Sequence, residues 1–295
     1  MKYTRIAIAQ LLIILLLSFT AEAQNMPADS SRNALLWKIE RPDMPAPSYL
    51  FGTVHLIPEA DFFFTDSMEA AFDKSKQLIL EIDINIPIFK QLMLAKDIYL
   101  PNRQRLEDYM TEEAYRQYRS DLLDSLQISE TTVNMTARIK PIFASGLILN
   151  ELLKNPIQYE KFLNDRASEK KFAVKGLETI DYQMEVVNSI SIEEQIQMLA
   201  EGGNAAGMKR DYDILIQTYK KQDIEALSKL IESEEFSADA QQQLLSNRNN
   251  NWIPIIEKEV LKMPSFIAVG AGHLAGNTGI IELLRKEGFI LTPIK

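Results

Sequence analysis

Two stretches near opposite ends of the chain share one pattern: a short apolar strand runs into a glycine, and a histidine follows three residues later. The first stretch contains Gly52 and His55, and the second contains Gly270 and His273. These are the only two histidines in 295 residues, and a leucine follows each of them. Because only 11 glycines occur in the chain, chance is a poor explanation for both matches. The pattern predicts two equivalent strand ends that meet in space.

Each strand–turn–histidine unit is followed by a helix and another strand. In the first unit, residues 66–76 have helical spacing and residues 77–84 are an apolar strand. In the second unit, residues 278–287 predict a helix and residues 289–293 a strand. We therefore expect an α/β fold with a mixed central sheet built from two strand–turn–His half-repeats. A large helical insertion, about residues 89–262, separates them and would cover the mouth of the sheet.

Three further segments complete the predicted organisation. Residues 34–40 alternate as a strand and would form an antiparallel hairpin with the first half-repeat. Residues 172–176 predict another short strand, which ends just before Glu178. Residues 248–252, with the sequence Arg-Asn-Asn-Asn-Trp, predict a polar loop between helices.

The N-terminus has the features of a secretory signal peptide. Lys2 and Arg5 form a positive segment, residues 6–19 are apolar, and Ala21-Glu22-Ala23 matches a cleavage site. We expect residues 1–23 to be removed after Ala23 and the protein to be exported, to the periplasm or as a secreted protein. Because the chain has no cysteine, it lacks a thiol for a lipid anchor, and we expect no stable membrane anchor after cleavage.

Residues 24–33 are polar and predict a flexible mature N-terminus, followed by the folded domain at residues 34–295.

Composition excludes several classes of partner and site. The formal net charge is −9 without a basic patch, which argues against nucleic acid as a partner. The absence of cysteine also excludes disulfides and thiolate metal ligands. The sequence carries no signal for an oligomeric state.

The histidine pair suggests a metal site. Neutral imidazole is the commonest metal ligand in proteins, and a catalytic divalent ion usually takes a third protein ligand. Glu81 is the best candidate, because a carboxylate inside an apolar strand needs a partner or a metal. With His55, His273 and Glu81 as ligands, the ion could be Mn, Co or Zn. Alternatively, each histidine is only a hydrogen-bonded strand end, and Glu81 pairs with a basic residue such as Arg248.

Glycines beside the histidines would let the backbone bend tightly and approach a bound cofactor closely. We expect this of Gly52, Gly270 and Gly272. The run from Gly270 to Gly276 resembles a dinucleotide loop, but its spacing differs by one residue and too little chain follows it. Gly276 would instead cap the next helix, whose N-terminus could hold a substrate carbonyl or an anion.

Four polar residues are candidates for the catalytic groups around the ion. Glu178 could be a general base or support a metal ligand, and Asp83 is a weaker candidate for the base. Arg248 could stabilise a developing oxyanion while Asn249 positions substrate. A plain surface loop is the equal alternative for these last two residues.

These motifs, in this order, resemble the TraB/GumN family over residues 35–294. They are Gly52-Thr-Val-His55-Leu-Ile-Pro58, Leu78-Ile-Leu-Glu81-Ile-Asp83, Gly176-Leu-Glu178-Thr179, Arg248-Asn249-x-x-Trp252 and Val269-Gly-Ala-Gly-His273-Leu. The family is related to the Tiki proteases, which are metal-dependent peptidases, and to erythromycin-esterase-like and ChaN-like proteins. The resemblance implies an α/β arrangement with a helical insertion. It also implies that His55, His273 and Glu81 line a metal site, and that Arg248 and Asn249 contribute to the cleft.

The combined prediction is an exported metal-dependent hydrolase, a peptidase that acts on peptide or protein substrates. One alternative is a non-catalytic protein that captures a peptide in the same cleft, which would need neither a stoichiometric ion nor cleavage. A second is a haem-binding protein in the manner of the ChaN-like relatives, which a Soret absorbance band on adding haem would reveal.

Overall fold

The computed structural model describes residues 33–201, 205–231 and 237–295. The predicted signal peptide and residues 24–32 lie outside these ranges. A six-stranded mixed sheet forms the centre, in the order β6-β4-β7-β2-β1-β8. Its strands are β1 (Leu36–Glu40), β2 (Ser48–Thr53), β4 (Gln77–Ile82), β6 (Ala173–Glu178), β7 (Ser265–Gly270) and β8 (Ile290–Ile294). The short strands β3 (Leu56–Ile57) and β5 (Ile157–Gln158) pair in a second, two-stranded sheet. The predicted α/β fold class is confirmed.

The two half-repeat strands are direct neighbours in the sheet. β2 pairs with β7 in parallel, and Thr53 lies opposite Gly270 in their register. β7 and β6 flank β4, both in parallel. The predicted hairpin of β1 and β2 is present, and β8 pairs antiparallel to β1 at the edge. Two strands therefore separate β7 from β8, so the helix and strand that follow the second histidine cross β2 and β1 rather than returning beside β7.

Helices surround the sheet, and in the sequence most of them lie between β4 and β7. Their bounds are α1 (Asp66–Lys74), α2 (Ile88–Ile98), α3 (Glu112–Ser120), α4 (Glu130–Thr136), α5 (Pro141–Leu152), α6 (Tyr159–Glu169), α7 (Ile180–Ser189), α8 (Ile192–Glu201), α9 (Ala205–Lys220), α10 (Ile224–Ile231), α11 (Ala238–Gln241), α12 (Asn247–Val260) and α13 (Ile280–Lys286). The insertion is not purely helical, because its strand β6 joins the central sheet as an edge strand. None of the helices in the described ranges is long and apolar enough to cross a membrane.

Three local predictions differ from the structure. The polar run at residues 248–252 is not a loop; it forms the first turns of α12. The last helix begins at Ile280 with Gly279 as its N-cap, so Gly276 does not cap it. Asn33 is buried and its side-chain amide donates to Asp223, so this residue packs with the folded domain rather than lying in a flexible segment. In the first case tertiary contacts override local propensity.

The core lies where the central strands meet the helices. All residues of β2, β4 and β7 are buried, as is usual for parallel strands covered on both faces. Residues 62–64, three consecutive phenylalanines, pack against this core, and the ring of Phe62 lies 5.0 Å from that of Tyr159. The result is a rigid base beneath the carboxyl ends of β2, β4, β6 and β7.

Candidate active site

The candidate site lies at the carboxyl ends of the parallel strands, where ligands bind in open α/β sheets. His55 follows β2, Glu81 lies near the end of β4, and His273 lies in the turn after β7. Glu81 Oε1 is 4.0 Å from His55 Nε2 and 3.8 Å from His273 Nε2. The structure therefore brings the three residues predicted as metal ligands around one carboxylate oxygen. The side chain of His55 is the most exposed of the three, at 16%.

Both imidazole rings are held through their Nδ1 atoms. His55 Nδ1 lies 2.8 Å from a carboxylate oxygen of Glu160, and His273 Nδ1 lies 2.6 Å from the side-chain carbonyl oxygen of Asn249. Both partners are acceptors, so each Nδ1 carries the proton and donates it. Each Nε2 then carries the lone pair of its ring and faces Glu81, and that of His273 also lies 3.3 Å from Arg248 Nη1. Such an outer hydrogen bond is usual for metal-binding histidines.

Gly270 and Gly52 allow neighbouring groups to approach the backbone closely, and they do not form the tight bend of the chain. A Cβ on Gly270 would lie 3.1 Å from His55 Nε2 and 3.3 Å from Glu81 Oε1, so only glycine leaves these groups their space. A Cβ on Gly52 would lie 2.6 Å from Leu274 Cδ1, so this glycine lets the two half-repeats pack together. The tight bend falls on His55 itself, whose φ is 56°. Gly272 lies in the short turn that carries His273.

Glu81 is held on both oxygens. Its Oε1 accepts from the backbone N–H of Gly270 at 2.8 Å, and its Oε2 accepts from Arg248 at 2.5 Å. Burial alone would raise the pKa of Glu81, but the charges of Arg248 and the two histidines lower it to about 2. The carboxylate is therefore ionised at neutral pH. The pairing with Arg248, which the sequence left open as an alternative, is present.

Arg248 is enclosed in the site, and its guanidinium donors are all engaged. Its side chain is 1% exposed. Nε and Nη2 donate to Glu178, Nη2 also to Glu81, and Nη1 to the carbonyl of Leu244 at 3.0 Å and to His273 Nε2 at 3.3 Å. These contacts account for the five N–H donors of arginine. Burial would lower the pKa of Arg248, but Glu81 and Glu178 raise it, so the cation persists.

Glu178 supports Arg248 from the end of β6. Its side chain is 4% exposed, and besides Arg248 it accepts from Trp252 Nε1 at 2.9 Å and from Gln183 Nε2 at 3.3 Å. Burial raises the pKa of Glu178 despite the lowering effect of Arg248. The indole of Trp252 also contacts His273, with ring centroids 4.6 Å apart. Both oxygens of Glu178 are thus engaged in holding other residues.

The two histidines differ in electrostatics. Burial lowers the pKa of His273 to about 3, in spite of the opposing charge of Glu81, so its ring is neutral at physiological pH. Burial would also lower the pKa of His55, but the charge and hydrogen bond of Glu160 outweigh it and raise that pKa. The pKa of His55 is raised by Glu160, whereas His273 has no carboxylate at Nδ1 and the charges of Arg248 and His55 lower its pKa further.

The remaining candidates have separate positions. Asn249 donates to the backbone carbonyl of Thr278 at 2.8 Å while it accepts from His273, so it fixes a ring rather than projecting into a cleft. Asp83 is exposed after β4, and its hydrogen bonds among the described residues go to Asn85. The sequence did not single out Glu160 or the indole of Trp252 as functional. Glu160 lies in a polar stretch with no local signal.

The donor types at the site fit a divalent metal. Two imidazole Nε2 atoms and one carboxylate oxygen are ligands that Zn, Mn and Co accept. The space beside Gly270 that a Cβ would fill lies between His55 and Glu81. Arg248 contacts both Glu81 and His273. Among the described residues, no group of three or more histidine, aspartate or glutamate side chains is arranged so that it could hold a metal ion as it stands.

Comparison with known proteins gives a consistent result. The profile of the TraB/PrgY/gumN family matches residues 35–293. "Metalloprotease TIKI2" of Danio rerio is 21% identical over 92% of this chain and 62% of its own length, and "Metalloprotease TIKI1" of Homo sapiens is 22% identical over 92% and 64%. "Metalloprotease TIKI2" of Xenopus tropicalis is 23% identical over 87% and 59%. The chain spans about three-fifths of the length of these relatives. No solved structure matches it significantly.

Proposed function

This chain belongs to the TraB/PrgY/gumN family, and we propose that it is an exported metal-dependent hydrolase that cleaves peptide or protein substrates. One observation carries the proposal. The Nε2 atoms of both Gly-x-x-His motifs face the same oxygen of Glu81, at 4.0 and 3.8 Å. The names of the related metalloproteases support the reaction class.

Within the proposed site, His55, His273 and Glu81 would hold the ion, which would be Mn, Co or Zn. A divalent ion supplies Lewis acidity, which polarises a carbonyl and activates water. The protein's own contribution is orientation. Asn249 holds the ring of His273, and Arg248 holds Glu81 ionised and in place.

The geometry favours a positioning role for the two residues predicted to act on substrate or water. Arg248 has no free donor for an oxyanion, because its N–H groups are engaged with Glu81, Glu178 and neighbouring acceptors. Glu178 accepts from Arg248 and Trp252 on its two oxygens, so it would act as a base only after releasing them. We propose that Glu178 anchors Arg248. The general base remains a prediction for Glu178 or Asp83.

Metal analysis and a cleavage assay test the proposal together. The purified chain should carry about one divalent ion and cleave members of a peptide library, and a chelator should abolish cleavage. His55→Ala and His273→Ala should each lose both metal and activity while still unfolding in one cooperative thermal transition, with a lower midpoint for His273→Ala because it leaves Asn249 without its partner. Asp181→Asn, at an exposed ion pair with Lys90, is the control and should retain both. Peptide binding without metal or cleavage would overturn the enzyme and leave a binding protein.

Export is proposed from residues 1–23 and is tested separately. After cell fractionation, the protein should be found outside the cytoplasm, with Gln24 as its first residue. A cytoplasmic protein that still begins at Met1 would contradict export without touching the proposed chemistry.

A further inference from the structure

We propose that Glu160 is a positioning residue of this site: it fixes the orientation and tautomer of His55 so that Nε2 faces Glu81. The inference rests on the proposed function and deepens it. Glu160 lies at the start of α6, far in sequence from both histidine motifs, and it was not among the residues that the sequence indicated.

The contacts of α6 hold the His55 turn at two points. One oxygen of Glu160 lies 2.8 Å from His55 Nδ1 and accepts from the hydroxyl of Thr53 at 2.7 Å. The neighbouring Tyr159 donates its backbone N–H to the carbonyl of His55 at 3.0 Å. Side chain and backbone of His55 are thus both restrained by the first turn of one helix. The restraint matters because His55 has a φ of 56°, an unfavourable conformation for a residue with a side chain.

A purely structural role does not require the charge of Glu160. The residue is 4% exposed, and its second oxygen, Oε2, is buried without a hydrogen-bond partner among the described residues. Burying a carboxylate with an unpaired oxygen costs free energy, and a neutral side chain could fill the same space. The charge is useful if Nε2 of His55 must donate its lone pair strongly to a cation. A carboxylate on the Nδ1–H of a histidine increases the basicity of Nε2.

The second histidine supplies an internal comparison. His273 is held at Nδ1 by the neutral amide of Asn249 rather than by a carboxylate. Glu160 therefore makes His55 the stronger of the two ligands, and it does so at the histidine that is more exposed, 16% against 2% for the side chains. We infer that cation binding depends more on the Glu160–His55 pair than on the Asn249–His273 pair.

The first measurement is binding of Mn²⁺ or Zn²⁺ alone, by titration calorimetry on the purified full chain. Glu160→Ala should weaken binding about 10- to 100-fold, the usual effect of removing such a partner. Glu160→Gln keeps the shape and the acceptor but loses the charge, so it should weaken binding by a smaller factor. It also guards against misfolding of the alanine variant. Glu169→Gln, on the exposed end of the same helix, should bind as the wild type does.

The second measurement needs neither metal nor activity. The chain has only two histidines, so ¹⁵N-histidine labelling of untagged protein gives two imidazole spin systems by NMR. At about pH 9, where neutral imidazole predominates, both wild-type rings should carry their proton on Nδ1. In Glu160→Ala the ring of His55 should shift towards the Nε2–H tautomer while the ring of His273 stays unchanged.

The two readouts separate failure of the inference from failure of the proposed function. If the folded Glu160 variants bind metal within twofold of the wild type and His55 keeps its tautomer, Glu160 is not a positioning residue. If the wild type binds no metal, the proposed hydrolase fails, and the NMR comparison still decides whether Glu160 sets the state of His55.

Discussion

Arg248 is the residue on which the charge balance of the site depends. It lies between Glu81 and Glu178, two buried carboxylates that would otherwise repel each other without a counter-ion. Removing one member of a buried ion network leaves the other charges uncompensated, which costs more than the network itself contributes. We therefore expect the first effect of replacing Arg248 to be a lower free energy of unfolding, rather than a direct change in catalysis.

Arg248→Met should lower the free energy of unfolding by about 3–5 kcal/mol. Arg248→Lys should cost less, because lysine keeps the charge but supplies three donors instead of five. Urea unfolding in the presence of chelator measures both variants without a contribution from bound metal. A loss below about 1 kcal/mol for the methionine variant would contradict the expected penalty for leaving Glu81 and Glu178 uncompensated.

The two motif glycines should separate function from packing. Gly270→Ala places a methyl group 3.1 Å from His55 Nε2 and should reduce metal binding and cleavage with little loss of stability. Gly52→Ala places its methyl group 2.6 Å from Leu274 and against the backbone of Ala271, which should cost about 1–3 kcal/mol by overpacking. Thermal unfolding and metal titration of both variants test the contrast. Equal effects of the two variants on both measurements would contradict it.

Among the secondary structure elements, α12 joins both ends of the sheet. Its first turns carry Arg248, Asn249 and Trp252, which hold the site at the carboxyl ends of the strands. Near its other end, Glu259 accepts from Lys175 of β6 at 2.5 Å and from Lys262 at 2.8 Å. One helix therefore positions residues of the candidate site at one end of the strands and contacts β6 near the other end.

Glu259 gives the fold an acid-sensitive contribution. Burial would raise the pKa of Glu259, but its hydrogen bonds to Lys175, Lys262 and Gln77 lower it from 4.5 to about 2. A folded-state pKa below the unfolded value adds stability above about pH 4.5 that is lost as pH falls towards 2. We expect about 1–2 kcal/mol, since both lysines are partly exposed and screened.

Urea unfolding of the wild type and Glu259→Gln between about pH 6 and pH 2 checks this contribution. The stability difference between the two proteins should shrink as pH falls, because protonated Glu259 resembles the amide. A difference that stays constant over this range would contradict the assigned cause.

At the scale of the whole molecule, the free energy of local opening should differ between the insertion and the sheet. The main core includes the central strands, while five buried residues of the insertion form a separate small cluster. They are Leu122, Leu126, Ile128, Val133 and Ile148. A small cluster buries less apolar surface, so the segment that contains it should open with a lower free energy than the sheet.

Hydrogen exchange measured by mass spectrometry should resolve this difference. Amides of α3 and α4 should exchange at least about tenfold faster than those of β7, which lies between β4 and β2 in the sheet. Added metal should slow exchange chiefly at the carboxyl ends of the central strands. Equal protection of the insertion and the sheet would mean that the molecule opens only as one unit.

Much of the organisation could be read from local pattern. The short apolar strands, the hairpin of β1 and β2, and the two glycine–histidine turns all have sequence signals that depend on neighbours within a few residues. The pairing of Glu81 with Arg248 was open as one of two alternatives, because a carboxylate in an apolar strand demands a cation but does not say which one.

Only tertiary structure decided the rest, because those features depend on contacts between distant segments. The polar run at Arg248 and Asn249 is helical since its side chains are taken up by Glu178 and His273, which local propensity does not reflect. The contact of Glu160 with His55 joins residues 105 apart, and neither segment carries a sequence signal for it. Local sequence could thus specify the strand ends and the residues they carry. The partners that orient those residues are set by packing.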